Sequence, residues 1–175
     1  MMRLGLALLT ILALADAARA ADPADKADAA PAPTTANFVT FVAQANGFEL
    51  LSSQLVLSRQ PSEPVRQLAT RLIADHSAAA DTFKAVLSAE RLTLPSDKVD
   101  ARHRVILNGL NEKHGAELEQ AYLEAQSQAH GEAIAQLKAY GKGGENAALR
   151  RFADQTVPVL EQHRALVAAL RKGSG

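Results

Sequence analysis

Apolar side chains recur at intervals of three and four residues along four stretches of the chain. This spacing places them on one face of a helix with about 3.6 residues per turn, so it predicts four long amphipathic helices. They cover about residues 35–58, 63–90, 115–140 and 145–171, and a shorter helix covers about residues 99–110. We find no competing strand pattern and therefore expect an all-α fold.

Proline and glycine residues separate the predicted helices. Pro61 and Pro95 stand in two of the breaks, and the glycine-rich tract 141–144 forms another. Proline lacks the amide hydrogen that a helix interior needs, and glycine favours helix ends. Short links between long helices favour an antiparallel four-helix bundle, with the short helix added before the third long one. Pro158 lies inside the last helix, where we expect a kink.

Polar residues near the helix starts are candidate caps, because their side chains can accept hydrogen bonds from free main-chain amides. Thr35 or Asn37 can cap the first helix, and Ser62 can cap the second. Ser96 or Asp97 can cap the short helix that follows the loop around Pro95. These residues set the expected start of each helix.

Four polar side chains occupy positions on the apolar faces of the long helices, one on each helix. They are Glu49, His76, His130 and His163. A polar group at a core position finds a partner or costs about 1–3 kcal/mol of stability. We therefore expect these side chains to meet one another, a water molecule or a metal ion. Glu119 lies close to the same face as His130 and is a fifth candidate.

Two kinds of site fit this cluster. The first is a mononuclear site for one divalent transition metal such as zinc, copper or iron, which accept imidazole and carboxylate ligands. Its candidate ligands are Glu49, His76, Glu119, His130 and His163. The second is a buried hydrogen-bond network in which carboxylates orient the imidazoles. Because no complete ligand motif accompanies the cluster, the sequence favours the network.

Ligand spacing argues against a di-iron centre of the ferritin type. Such centres take a Glu-x-x-His pair from each of two helices. The residues three positions before His76, His130 and His163 are an isoleucine, a serine and a leucine. The sequence therefore does not predict an oxygen-activating di-iron site.

The remaining polar candidates have simpler explanations. His103 follows Asp100 by three residues at a helix start, where capping explains the aspartate, and His114 precedes a helix break and should be solvated. Tyr122 should pack with its hydroxyl hydrogen-bonded. The chain has neither a cysteine nor a Gly-x-Ser-x-Gly turn, and residues 141–144 lack the pattern of a phosphate-binding loop. The sequence therefore favours a non-catalytic protein.

The chain begins with the pattern of a cleaved secretory signal. Arg3 is followed by an apolar run from Leu4 to Ala15, and small residues occupy positions 18 and 20. We expect residues 1–20 to be a signal peptide, residues 21–35 a disordered linker and residues 36–172 one helical domain. The run is shorter than the roughly 20 residues that span a bilayer, so we expect cleavage and a periplasmic or secreted protein without a membrane-spanning segment.

Charge and cysteine content limit the partners. The chain has 19 Lys and Arg and 19 Asp and Glu, and the predicted signal peptide contains two of the former and one of the latter. This balance does not indicate nucleic acid or an anionic membrane as a partner. Without cysteine, neither a disulfide nor a lipoprotein anchor can form. A protein partner or a metal ion remains open, as does the oligomeric state.

Several segments resemble one bacterial family. They are Gly47-Phe48-Glu49-Leu50, Leu72-Ile73-Ala74-Asp75-His76, Leu118-Glu119, His130, and Val157-Pro158-Val159-Leu160 with His163. In this order they are similar to secreted proteins of the domain-of-unknown-function 4142 family, which belongs to the ferritin-like four-helix group. The resemblance implies a ferritin-like bundle outside the cytoplasm and implies no activity. Glu119 replaces the aspartate typical of the family and lengthens the side chain by one methylene.

Two classes of function follow from these observations. The first is a non-catalytic protein of the cell envelope, related to stress or to a partner, whose histidine network serves structure or pH sensing. The second is a mononuclear metal-binding or metal-dependent redox protein that uses the same cluster. Metal analysis of the purified protein distinguishes the two.

Overall fold

The computed structural model describes residues 33–96 and 98–173. These residues form five α-helices and no strand, which confirms the all-α class. The helices are α1 (Thr35–Ser58), α2 (Glu63–Ala89), α3 (Ala101–Asn111), α4 (Gly115–Gly143) and α5 (Ala147–Gly173). Among the described residues, no helix is long and apolar enough to cross a membrane. The predicted signal peptide, most of the predicted linker and Asp97 lie outside the described residues.

Each of the four long helices packs against two others. α1 contacts α2 and α4, and α5 contacts the same two helices. The short helix α3 lies against α1 and α4. The order around the group is therefore α1, α2, α5 and α4, with α3 at the side formed by α1 and α4.

Two apolar clusters form most of the core. One contains Phe38, Val42, Phe83, Leu87, Ile134, Leu137, Tyr140, Leu149, Phe152 and Leu160. The other contains Val56, Val65, Leu68, Leu72, Leu110, Leu118, Tyr122, Leu123 and Val167. On every long helix, buried polar residues lie between the residues of the two clusters. A polar layer therefore separates two apolar regions, and all four long helices contribute to it.

The cap of α1 lies one residue before the earlier of the two predicted caps. The cap is Thr34, whose side-chain oxygen accepts a hydrogen bond from the Asn37 amide at 3.3 Å. Thr35 and Asn37 were wrong as caps, because both lie inside the first turn. The Thr35 hydroxyl instead lies 2.9 Å from the Tyr140 hydroxyl on α4. The start of α1 is therefore joined to the end of α4.

The starts of α2 and α3 use different partners. Ser62 is the residue before α2, as predicted, but it makes no side-chain bond to its own helix. Its amide and hydroxyl both donate to the Glu119 carboxylate, each at 2.6 Å. Asp100 caps α3 by accepting from the His103 amide at 2.7 Å. Ser96 was wrong as a cap, because α3 begins only at Ala101 and its cap is Asp100.

The glycine-rich tract continues α4 instead of ending it at residue 140. The helix runs through Gly143, and Gly144 follows it as the cap. A Cβ on Gly144 would lie 2.4 Å from the Tyr140 ring, and one on Gly141 would lie 2.5 Å from the Asp154 carboxylate on α5. The glycines therefore let the last turn of α4 approach α5 and its own tyrosine closely.

Candidate functional site

Three buried histidines from three helices meet in the polar layer. One ring nitrogen of each of His76 on α2, His130 on α4 and His163 on α5 lies within 4.8 Å of one on each of the other two. The exposed fractions of the three residues are 7%, 1% and 1%. The closest pair is His130 Nε2 and His163 Nδ1, at 3.2 Å. We call these three residues the histidine triad.

The other ring nitrogen of each triad residue faces an oxygen atom. His76 Nδ1 lies 3.0 Å from Asn46 Oδ1, and His130 Nδ1 lies 3.0 Å from the Gln126 main-chain oxygen. His163 Nε2 lies 2.8 Å from the Asp75 carboxylate. A main-chain carbonyl and a carboxylate can only accept, so the facing nitrogens of His130 and His163 carry the hydrogens.

The inner nitrogens of the triad therefore hold lone pairs. A neutral imidazole has one N–H, and in His130 and His163 the outer nitrogen already carries it. When both rings are neutral, the two inner nitrogens at 3.2 Å face each other with no hydrogen between them. His76 Nε2 is buried and has no hydrogen-bond partner among the described residues. With neutral rings, the arrangement directs three nitrogen electron pairs toward one point, where a cation could bind.

Burial opposes a proton on the rings of His76 and His130. It lowers the pKa of His76 well below the ordinary value, and the neighbouring His130 and His163 lower it further. Burial also lowers the pKa of His130 to about 4, although the hydrogen bond with the Gln126 carbonyl opposes this change. In contrast, the hydrogen bond from His163 holds the pKa of Asp75 below its usual range. Near neutral pH these causes favour neutral His76 and His130 rings beside an ionised carboxylate.

Glu49 reaches the triad from behind His130. Its exposed fraction is 4%, and its Oε1 lies 3.4 Å from His130 Nδ1, the outer nitrogen. Burial raises the pKa of Glu49 to about 8, and a hydrogen bond from Gln126 opposes this rise. Its Oε2 is buried without a hydrogen-bond partner among the described residues. Glu49 therefore joins the cluster as a neighbour of a triad residue and does not share the point where the inner nitrogens converge.

Glu119 lies apart from the other four candidates. Its carboxylate binds Ser62 at the start of α2. His76 follows Ser62 by 14 positions. At about 1.5 Å per residue, this separation corresponds to roughly 21 Å along the helix. Of the five predicted residues, the structure thus brings together Glu49, His76, His130 and His163, while Glu119 holds the N-terminus of α2.

Two partners of the triad were not among the predicted site residues. They are Asp75, which is next to His76 in the sequence, and Asn46. Asn46 precedes Glu49 by three residues, so helical spacing already placed both on neighbouring parts of one face. Asp75 gave no such signal, because its partner is on α5 and only the packing of α2 against α5 brings the two together.

Other side chains of the polar layer are hydrogen-bonded within the protein, although Gln126 Oε1 has no partner among the described residues. Gln126 Nε2 donates to the Ser52 hydroxyl at 2.9 Å. The Tyr122 hydroxyl lies 2.8 Å from the Ser53 hydroxyl, which confirms the prediction that Tyr122 packs with its hydroxyl bonded. These contacts join α1 to α4 beside the triad and satisfy groups that would otherwise destabilise the core.

The two remaining described histidines are outside the triad. His103 is buried, stacks on Phe48 with ring centroids 4.5 Å apart, and places Nδ1 3.0 Å from the Asp100 carboxylate. Asp100 also caps α3, as predicted. His114 is exposed, which agrees with its predicted solvation. Neither residue adds a ligand to the triad.

Comparison with known proteins identifies a family and no individual relative. The family model described as "Domain of unknown function (DUF4142)" matches residues 20–170. Comparison with curated proteins gives no match, and comparison with solved structures gives none. The matched range includes α1 to α4 and nearly all of α5, so it includes every residue of the triad.

Proposed function

The chain belongs to the family described as a domain of unknown function (DUF4142), whose description assigns no activity, and we propose from its geometry that it binds a metal. In this proposal, the histidine triad holds one first-row transition metal ion. The main observation in support is that three buried imidazole nitrogens converge while the opposite nitrogen of each ring faces an oxygen. This reverses the preference for a structural network that the sequence favoured.

The distances in the triad suit a metal of this class. With metal–nitrogen bonds of about 2.0–2.1 Å, two ligand nitrogens at a tetrahedral ion lie about 3.3 Å apart. His130 Nε2 and His163 Nδ1 are 3.2 Å apart, and the third nitrogen lies within 4.8 Å of both. A nitrogen 4.8 Å from both would reach the same spacing after a side-chain movement of about 1.6 Å. His76 Nε2, which is buried without a partner, is the atom that this movement would satisfy.

The donor set narrows the choice of ion. Three neutral imidazoles suit zinc, copper, iron or nickel, whereas magnesium and calcium prefer oxygen ligands. Three protein ligands leave a coordination position open, and an ion held in this way can act as a Lewis acid or, for copper and iron, exchange electrons. Asp75, the Gln126 carbonyl and Asn46 would orient the rings, as oxygen atoms behind metal-binding histidines commonly do.

The proposed setting is an antiparallel, ferritin-like four-helix bundle in the periplasm or outside the cell. The order of the apolar clusters supports the antiparallel arrangement: α1 and α5 pass from the Phe38 cluster to the Leu68 cluster, and α2 and α4 pass in the opposite direction. Neighbouring long helices then run in opposite directions. The apolar run near the N-terminus supports export.

Metal analysis with matched variants tests the proposed function. Protein purified without an affinity tag or chelator should bind about one equivalent of zinc or copper, measured by mass spectrometry of the metal content. His76→Ala and His163→Ala should each lose it, because the loss of one of three ligands removes most of the binding free energy. His114→Ala and Glu119→Ala should keep it, because these residues lie apart from the triad.

A wild-type protein that binds no metal would support a structural network. If no zinc, copper, iron, nickel or manganese binds to the wild-type protein, the triad is not a metal site. His76→Ala and His163→Ala would then act only through unpaired buried partners and lower stability by about 1–3 kcal/mol.

A further inference from the structure

A cavity of about 750 Å³ lies beside the histidine triad. All three triad residues form part of its wall, together with Glu49 and Asn46. Leu94 and Lys98, both exposed, also line it, so the cavity reaches the solvent. Its volume is within the range of roughly 300–1,000 Å³ that is typical of small-molecule sites.

The cavity lining is polar at the triad and largely apolar elsewhere. Away from the triad the lining is largely apolar and includes Phe41, Val42, Phe83, Leu137, Phe152 and Leu160. At the triad, Glu49 Oε2 is buried and has no hydrogen-bond partner among the described residues, and the same holds for His76 Nε2, which the proposed metal would bind. Buried polar atoms are nearly always paired in native proteins, so a ligand group is expected at this wall. The lining therefore fits an apolar body joined to a polar head.

Charge indicates the kind of head group. Three neutral imidazoles leave the charge of a divalent ion uncompensated in its coordination sphere. Lys98 adds positive charge to the cavity lining, whereas Arg71, which also lines the cavity, is paired with Asp75. The Asp75 carboxylate, which also lines the cavity, is already bonded to His163 and Arg71. An anionic oxygen head is therefore favoured over a neutral or cationic one.

We propose that the cavity binds a small carboxylic acid with an apolar body, whose carboxylate meets the metal held by the triad. This inference rests on the proposed function, because the metal supplies the main attraction for the head group. The body lies among the phenylalanine and leucine side chains, where its burial adds affinity. The site thus selects monocarboxylates with a chain or ring that reaches the apolar wall.

Calorimetric titration with octanoate tests this inference on the full mature protein. Zinc-loaded protein should bind octanoate at least about tenfold more tightly than metal-free protein, because only the loaded triad engages the head group. Octanol, which has the apolar body without the carboxylate, should show no such dependence on zinc. A cobalt-loaded sample adds an independent reading, since octanoate should change its visible absorption.

Two alanine replacements on α2 separate the cavity from the triad. Ala79 lines the cavity three residues after His76, whereas Ala85 is exposed and outside the lining. Ala79→Phe should keep one equivalent of zinc and weaken octanoate binding at least about tenfold, because the ring fills the space of the ligand. Ala85→Phe should bind zinc and octanoate as the wild type does.

The outcomes distinguish the two proposals. One equivalent of zinc with no octanoate binding, or equal binding with and without zinc, would overturn the ligand inference and leave the metal proposal standing. Octanoate binding by Ala79→Phe at wild-type strength would place the ligand outside this cavity and would also overturn the ligand inference. Failure of the wild-type protein to bind cobalt or any of the metals named under the proposed function would refute the metal proposal and, with it, this inference.

Discussion

At the scale of single residues, the oxygen atoms behind the rings decide what the triad can do. Each imidazole has one nitrogen directed at Asn46, the Gln126 carbonyl or Asp75, and this contact sets which nitrogen carries the hydrogen. The inner nitrogens are then available as ligands. Removing a triad residue would therefore test ligation, whereas changing an oxygen partner would test orientation.

Asp75→Asn should weaken metal binding without abolishing it. The variant keeps the size of the side chain and an oxygen for His163 Nε2, but it loses the negative charge behind the ring. Changes to such partners commonly reduce metal affinity by about 10–100-fold. Competition with a coloured zinc chelator measures the effect. Asp81→Asn, on the exposed side of α2 where Asp81 pairs with Lys84, is the control and should keep the wild-type affinity.

Glu49 should make the metal-free protein less stable as the pH rises. Burial raises its pKa from 4.5 to about 8, so the folded protein holds this proton more tightly than the unfolded chain. The stabilisation is complete below about pH 4.5 and is lost as the pH rises through about 8. Between about pH 6 and pH 8, titration of Glu49 should lower the unfolding free energy of the wild type by roughly 2–3 kcal/mol. Glu49→Gln should lack this part of the decrease.

Urea denaturation at several pH values measures this difference. Glu124→Gln is the control, because Glu124 is exposed on the neighbouring part of α4. Equal pH dependence in Glu49→Gln and the wild type would show that the Glu49 carboxyl does not titrate in this range.

At the scale of elements, contacts between helix ends and their neighbours place the helices. Glu119 on α4 holds the start of α2, and Thr35 on α1 meets Tyr140 near the end of α4. The chain before α3 also crosses α1 at Gly47, where main-chain atoms approach closely. These contacts fix the axial positions at which the polar residues of different helices meet.

Gly47→Ala should separate α1 from the segment before α3. The added Cβ would lie 2.0 Å from the Lys98 main-chain oxygen, so one of the two segments must move. Such overpacking costs about 1–3 kcal/mol of stability. Gly131→Ala on α4 is the matched control, because its Cβ meets nothing within 4 Å. It should raise stability by about 0.5–1 kcal/mol through helix propensity.

Urea denaturation of the two variants compares the sites directly. Equal stability of Gly47→Ala and Gly131→Ala would contradict the close approach of α1 to the chain at Lys98.

At the scale of the whole molecule, the triad ties three helices together in a layer between two apolar regions. His76, His130 and His163 come from α2, α4 and α5, and Glu49 brings α1 to the same layer. A bound ion would therefore connect helices that otherwise meet mainly through apolar packing. Binding to the folded state alone should stabilise the entire fold.

Metal should raise the free energy of unfolding in proportion to its affinity. At a free zinc concentration about 100 times the dissociation constant, the expected gain is about 2.7 kcal/mol. Urea denaturation followed by circular dichroism, with and without zinc, measures it, and a chelator should reverse it. His163→Ala should show no gain. A gain of the same size in that variant would mean that zinc stabilises the protein at another place.

The sequence alone determined the helices and the inward direction of their polar residues. Local spacing decides which residues share a helix face, so Glu49, His76, His130 and His163 could be placed in the core before any packing was known. Proline and glycine positions marked the breaks for the same local reason. The capping contacts of α1 and α2 were less predictable than that of Asp100, because Thr34 and the Glu119–Ser62 contact depend on where neighbouring helices end.

Only the tertiary structure decided which polar residues meet and through which atoms. Glu119 and Asp75 are both carboxylates beside an apolar face, yet only Asp75 reaches the triad, because the axial offset of α2 and α5 sets that contact. The contacts of the ring nitrogens are also the reason that we propose a metal site where the sequence favoured a hydrogen-bond network. Spacing along a helix places a ring in the core, but only helix packing determines which nitrogen faces an oxygen and which faces another nitrogen.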